Sequence, residues 1–208
     1  CALYHALSAG LVDVAGDLLA AGSSVTTACG EAMTEANYED VHLFRKLILK
    51  GLDVNDATNT TYSYPMLHGT VSGSVLQIGY LTVLLDAGVD PNMKNQDGET
   101  PLQMVLYCSG DWAEDATQVT WDLLEEVVSL LLKHGADVNT KGFTPLHHAV
   151  EIDNPAAMRA IMHALIDAGA DMEAPLGNTR AYCKDMTPIS LALLSARPRF
   201  AAVDVLLD

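Results

Sequence analysis

One short pattern recurs along the chain and constrains its fold more than any other feature. In each copy a pair of aliphatic residues, mostly leucines, is followed by glycine, then by an acidic residue and asparagine or its equivalent. The four clear copies are residues 47–55, 84–92, 131–139 and 165–173, and a weaker copy lies at 18–23. Regular recurrence of this kind is typical of proteins whose units bury their apolar faces only against their neighbours. The pattern therefore argues against a single globular core.

A second pattern, threonine followed by proline, alternates with the first. It begins the segments 100–102, 144–149 and 187–192, and a degraded form occurs at 65–68. A threonine side chain at a helix N-cap accepts a hydrogen bond from a backbone N–H that the helix leaves unpaired. Proline suits the first helical position, where its missing N–H costs no bond. Each Thr-Pro pair therefore predicts the start of a helix.

The glycines of the first pattern predict where helices end. Gly51, Gly88, Gly135 and Gly169 each follow an apolar stretch with helical periodicity, so we expect left-handed residues that terminate a helix. The Asp-x-Asn that follows suits a turn, because an Asx side chain bonds its own backbone. Half of the residues are hydrophobic but only 6% are aromatic, which favours short helices packed through Leu and Ala. The expected unit is helix, turn, helix and hairpin loop.

Together the two patterns make the chain similar to the ankyrin repeat family from end to end. The resemblance implies an all-α fold, an ankyrin-repeat solenoid of about five to six stacked helix-turn-helix units with hairpin loops. We place the units at residues 1–26, 27–59, 60–96, 97–140, 141–182 and 183–208. The first unit lacks Thr-Pro and the last is incomplete, so we expect an array that is truncated at both ends.

The fourth unit is longer than the others. Gly88 and Gly135 are 47 residues apart, whereas the family period is about 33 residues, and the difference predicts an insertion within residues 107–120. The insertion carries Trp112 among acidic residues. Two interpretations are open: a surface loop whose tryptophan covers helix ends, or an added recognition element.

Charge and cysteine content exclude several functions. A net charge of −16 repels phosphate backbones and anionic lipid headgroups, so we expect no nucleic-acid binding and no direct membrane binding. A basic partner is compatible with this charge. The four cysteines lie far apart and form no CxxC pair, so neither a zinc site nor a disulfide framework is expected. An intracellular, cytoplasmic protein fits these features.

No segment carries a motif for catalysis or for a cofactor. His147 and His148 are adjacent, so on a helix they point about 100° apart, and no further ligand lies three or four residues away. The resemblance implies a structural role for His147 and His68. Because there is no nucleophile motif and no phosphate-binding loop, we expect no enzyme activity, metal or cofactor. An enzyme or small-ligand binder centred on residues 107–120 is a rival without positive support.

The resemblance implies that recognition uses the concave face, which is formed by the first helices and the hairpin tips. The candidate contact residues are Glu99, Phe143 and Met186 at the tips, Met104, Tyr107, His148 and Glu151 along the first helices, and Trp112 in the insertion. Exposed aromatic and methionine side chains are typical interface anchors. We therefore expect a protein–protein interaction scaffold for a partner protein or peptide. The alternative is a regulatory or targeting ankyrin module of a larger protein whose activity lies outside this sequence.

Overall fold

The computed structural model describes residues 1–35, 40–55, 65–72, 76–109, 118–176, 185–194 and 199–207. All regular secondary structure in these ranges is α-helical, which confirms the all-α fold predicted from the repeats. The chain divides into two compact units, unit 1 from Cys1 to Pro101 and unit 2 from Leu102 to Asp208. Trp112 and the middle of the predicted insertion, residues 110–117, lie outside the described ranges.

Unit 1 is built from short helices that pack in two rows. One row is α1, α3 and α5, and the other is α2, α4 and α6; within each row, each helix packs on the next. Their bounds are α1 Ala2–Ser8, α2 Val12–Ala20, α3 Thr27–Glu35, α4 Val41–Leu49, α5 Met66–Gly69 and α6 Ile78–Asp86. Each pair of consecutive helices therefore forms a repeat whose apolar side is covered by the next pair.

Unit 2 repeats the same arrangement of helix pairs. Its helices are α7 Pro101–Ser109, α8 Gln118–Lys133, α9 Pro145–Val150, α10 Pro155–Asp167, α11 Pro188–Leu194 and α12 Phe200–Leu207. Helix α9 packs on α11, while α10 packs on both α8 and α12. The first helices and the second helices thus form separate layers.

The core of each unit lies between these layers and consists mainly of leucine and valine. In α8, Leu124, Val127, Val128 and Leu131 are buried, and their spacing of three and four residues places them on one face of the helix. The same face of α8 meets α10. The core is therefore a continuous apolar seam between successive helix pairs rather than one central cluster.

The helix ends have the conformations predicted from the repeats. Gly51, Gly88, Gly135 and Gly169 have φ values of 96°, 83°, 89° and 90°, in the left-handed region that glycine enters without a steric penalty. After each of them an aspartate side chain accepts a hydrogen bond from the backbone N–H two residues later, as Asp137 does from Asn139 at 2.8 Å. The predicted turn after each second helix is confirmed.

Candidate functional site

The Thr-Pro start of α9 fixes the ring of His147. Thr144 is the N-cap of the helix and Pro145 follows at its first position. The Thr144 side chain accepts from the backbone N–H of His147, and its hydroxyl lies 2.8 Å from His147 Nδ1. His147 Nε2 lies 3.1 Å from the carbonyl oxygen of Met186. Because a carbonyl only accepts, Nε2 carries the proton and Nδ1 accepts from the threonine hydroxyl.

This bond connects the tip of one repeat to the tip of the next. Met186 precedes Thr187 and Pro188, at the start of α11, so His147 holds the following hairpin at its base. Burial lowers the pKa of His147 from its ordinary value, against a weaker opposite effect of the bond to Met186. In unit 1 His68 donates in the same way to the carbonyl of Glu99 at 3.0 Å, and burial lowers its pKa also. The structural role inferred for both histidines is confirmed.

His148 points away from His147 and lies between two other aromatic side chains. Its ring centroid is 4.3 Å from that of Phe143 and 5.9 Å from that of Tyr107. Tyr107 meets His148 edge to face, at an interplanar angle of 79°, an arrangement that aromatic pairs favour. We call Tyr107, His148 and Phe143 the aromatic cluster. It joins one hairpin tip, the first helix α9 and the last turn of α7.

The exposure of the aromatic cluster differs from ring to ring. His148 is only 6% exposed, Phe143 is half-buried, and Tyr107 is 53% exposed. The backbone around Phe143 is fixed by the buried Gln103 of α7, whose Nε2 donates to the Phe143 carbonyl at 2.9 Å. The cluster therefore presents one open ring, Tyr107, on a rigid support.

Three other predicted residues of unit 2 lie on the helices that carry the aromatic cluster or on the hairpin that is bonded to His147. Met104 is half-buried and lies one helical turn before Tyr107 on the same face of α7. Glu151 is half-buried at the C-cap of α9, three residues after His148. Met186 is half-buried, and its carbonyl accepts from His147, whose ring lies 5.5 Å from that of Phe143. The structure thus brings His148 into contact with Tyr107 and Phe143 and places the other three candidates on neighbouring segments.

The two remaining candidates are Glu99 and Trp112. Glu99 belongs to unit 1, where it closes a hairpin: its backbone N–H donates to Asn95 Oδ1 at 2.8 Å, and its carboxylate lies 3.3 Å from Asn95 Nδ2. Its half-buried side chain is therefore held by its own hairpin. Trp112 lies outside the described residues.

Two further residues make long-range contacts that the sequence analysis does not predict. Asn139 donates to the carbonyl of Gly169 at 2.9 Å and accepts from the N–H of Asp171 at 2.8 Å, so it joins two successive hairpins. Arg199 forms an ion pair with Asp153 at 2.6 Å and donates to the carbonyl of Glu151 at 3.2 Å. The recurrence of asparagine after Asp-x was a signal for the first residue. Nothing in the sequence pairs Arg199 with a turn 46 residues earlier.

The hairpin tips enclose an open polar cleft beside the aromatic cluster. Its volume is about 430 Å³, and it is lined by residues of two hairpins, including Asn139, Lys141, Thr144 and Asp171. Within the described ranges no group of three or more His, Cys, Asp or Glu side chains is arranged to hold a metal ion. Of the described helices, none combines the length and apolar character needed to cross a membrane.

Comparison with known proteins places these features in a family. The sequence model described as ankyrin repeats, in three copies, matches residues 79–176. A curated ankyrin repeat protein of Rickettsia felis is 29% identical over 124 residues, which are 56% of this chain and 50% of that protein. The chain thus spans about half the length of the curated relative it matches.

A solved structure supports the fold over a wider range. The crystal structure of an ankyrin repeat domain from Acinetobacter baumannii AYE superposes with a TM-score of 0.76, covering 99% of this chain and 95% of that one at 20% identity. Ankyrin repeats generally serve as protein–protein interaction modules, and their fold is not a catalytic one. On this evidence residues 79–176 match ankyrin repeats, and the chain has the all-α fold of an ankyrin-repeat solenoid.

Proposed function

We propose that unit 2 binds a partner protein or peptide through the aromatic cluster and the two methionines beside it, Met104 and Met186. The observation that carries the proposal is the exposed ring of Tyr107, held edge to face against the buried His148. An aromatic side chain that is already ordered loses little conformational entropy when a partner covers it. Rigid aromatic anchors of this kind are enriched among residues that dominate binding energy.

The surroundings of the aromatic cluster support this use of the surface. Gln103 holds the backbone of Phe143, and Thr144 holds the ring of His147, the residue before His148, so the segments that carry the cluster are fixed without a partner. The half-buried methionines can adapt to a partner, because their side chains are flexible and polarizable. The polar cleft between the hairpins lies next to the cluster and can accept hydrogen bonds from the same partner. Glu99 and Trp112 remain proposed contacts.

Selection of binders followed by mutation tests the proposal. A library of random 12-residue peptides displayed on phage is selected against the chain, and the affinity of each binder is measured by isothermal titration calorimetry. Tyr107→Ala, Met104→Ala and Phe143→Ala are compared with Phe200→Ala, which removes a 68% exposed ring of α12 outside the cluster. At least one of the first three changes is expected to weaken binding about 30-fold, the level of an interface hot spot. Binding unchanged in all three would contradict the proposal.

A second candidate is a regulatory or targeting module in a larger protein with an activity of its own elsewhere. The observation that favours it is that half of the Rickettsia felis relative lies outside the match. In that case the same surface serves to bring the larger protein to its target. Reading the complete coding sequence tests this, because it shows directly whether other domains accompany the repeats.

We also propose that the protein works inside the cell, in the cytoplasm. Two of its four cysteines, the exposed Cys1 and the buried Cys29, are free thiols, as is usual in a reducing compartment. Fractionation of cells that express a tagged full-length protein tests the assignment.

A further inference from the structure

The proposed function leaves open the chemistry of the partner, and three features of unit 2 bear on it. The first is the position of Tyr107. Its ring is exposed and lies in the last turn of α7, where the carbonyl groups of a helix carry a partial negative charge. Both an aromatic face and a helix C-terminus attract cations.

The second feature is the charge of unit 2. Its described residues include eleven acidic side chains and four basic ones. Two of those four cations already have acidic partners within the chain: Arg159 pairs with Asp204 at 3.5 Å, and Arg199 pairs with Asp153 at 2.6 Å. Of the other two cations, Lys133 ends α8 and Lys141 lies in the hairpin of Phe143. Acidic groups still outnumber basic ones in unit 2, so its net charge attracts cations and repels anions.

The third feature is the absence of lysine and arginine from the two helices that carry Tyr107 and His148; the hairpin that carries Phe143 contains one exposed lysine, Lys141. The sequences of α7, PLQMVLYCS, and of α9, PLHHAV, contain neither lysine nor arginine. Glu151 follows α9 directly, three residues after His148. No cation from these two helices therefore competes with a partner for the open ring of Tyr107.

From these features we propose that the partner segment is basic and places an arginine or lysine side chain on the ring of Tyr107. This inference rests on the proposed function, since it assigns the partner chemistry at the same surface. The apolar part of the basic side chain covers Tyr107 and Met104. Its charged end is stabilised by the ring, by the end of α7 and by the acidic surroundings.

The test uses the selected peptides and a neutral analogue of arginine. In each binder the basic residues are replaced one at a time, arginine by citrulline and lysine by glutamine, and the affinity is measured for the chain and for Tyr107→Leu. Citrulline has nearly the shape of arginine but no charge. Tyr107→Phe keeps a ring, whereas Phe200→Leu removes an exposed ring elsewhere and serves as the matched control.

The proposal expects binders enriched in arginine or lysine, and one basic residue whose neutralisation weakens binding about fivefold or more. This loss of affinity should persist in Tyr107→Phe and Phe200→Leu. It should disappear in Tyr107→Leu, because the cation then has no aromatic ring to interact with. Binders without basic residues, or a penalty that is the same in Tyr107→Leu, would overturn it.

The outcomes also separate this inference from the proposed function. If binding depends on Met104 and Phe143 but not on peptide charge, the surface binds a partner and the inference about its charge is wrong. If binding depends on none of the residues of the aromatic cluster or its methionines, the proposed function itself is wrong.

Discussion

The ring of His68 lacks the threonine hydroxyl that bonds the ring of His147. Its backbone position matches that of His147, but Pro65 stands where Thr144 caps α9. His68 is fully buried, and its Nδ1 has no hydrogen-bond partner in the part of the chain that the structure describes. A buried polar atom left unpaired costs about 1–3 kcal/mol. The degraded copy of the motif is therefore a weak point of unit 1.

The change Pro65→Thr should stabilise the chain. Pro65 has φ −56° and ψ 146°, close to the −68° and 159° of Thr144, so threonine fits the backbone without strain. Its hydroxyl would donate to His68 Nδ1 and accept from the backbone N–H of His68. We expect a gain of about 1 kcal/mol in the free energy of unfolding, reduced in part by the loss of proline rigidity. Urea denaturation measures it.

The control for this variant is Pro65→Val, which has the shape of threonine without the hydroxyl. It should be no more stable than the parent chain. A gain of equal size in both variants would show that the hydroxyl is not responsible.

His147 makes stability depend on pH in a predictable direction. Burial lowers its pKa in the folded state, while the unfolded chain titrates near the ordinary value of about 6.5. The unfolded state therefore binds the proton more tightly, and acid favours unfolding. The contribution of neutral His147 is complete above about pH 6.5 and is lost as the pH falls through the folded-state pKa.

Denaturant titrations should show a lower free energy of unfolding at pH 5.5 than at pH 7.5. In His147→Gln the loss should be smaller, because the glutamine amide can donate to the Met186 carbonyl without taking up a proton. His163→Gln changes an exposed histidine of α10 and serves as the control substitution. If the parent and His147→Gln lost equal stability between pH 7.5 and 5.5, His147 would not be responsible for the pH dependence.

The sequence predicted those residues whose role is decided locally. Gly135 must end a helix because its φ of 89° suits glycine, and Asp137 turns the chain by bonding a backbone N–H only two residues away. His148 shows the limit. It was expected to be a contact residue, but that expectation could not include its 6% exposure, which depends on Phe143 and Tyr107 from other elements.

At the scale of elements, Arg199 links the turn before α12 to the turn between α9 and α10. Its guanidinium reaches the Asp153 carboxylate at 2.6 Å and the carbonyls of Glu151 and Ile152 at 3.2 and 3.4 Å. A planar group with several donors can meet all three acceptors, which a lysine ammonium does less well. Arg199 therefore positions both the C-terminal helix pair and the end of α9 that carries Glu151.

Removal of this link should cost more than removal of an ordinary surface ion pair. Arg199→Ala should lower the free energy of unfolding by about 1–2 kcal/mol, because two backbone carbonyls and a partly exposed carboxylate lose a charged donor. Arg159→Ala breaks only an exposed pair with Asp204 at 3.5 Å and should cost about 0.5 kcal/mol or less. Equal effects of the two substitutions in thermal denaturation would contradict the special role of Arg199.

The helices themselves were largely predictable, but their connections were not. Thr144 and Pro145 mark the start of α9 in the sequence as clearly as in the structure. The link through Arg199 joins two turns that lie far apart in the sequence and follow no repeated motif, so only the packing of α9, α11 and α12 brings them together. Contacts of this kind depend on the assembled repeats and leave no periodic signal.

For the whole molecule, the net charge of −16 opposes the compact state through repulsion between like charges. Raising NaCl from 0.05 to 0.5 M should screen that repulsion and increase Tm by about 2–4 °C, equivalent to roughly 1 kcal/mol for a chain of this size. The increase should be smaller in a triple variant that neutralises three exposed acidic residues of the second helices, Asp122→Asn, Glu126→Gln and Asp167→Asn. A Tm that does not change with salt would show that the repulsion is negligible.

The row-by-row packing of the helices has a consequence for how the chain reaches its folded state. The main contacts within each unit join a helix to its own repeat or to the next one, as α8 joins α10 and α10 joins α12. Such contacts close short loops, so the contact order is low and folding is expected to be fast. During synthesis each helix pair can settle on the previous one as soon as it leaves the ribosome, and only the newest repeat then exposes its apolar face.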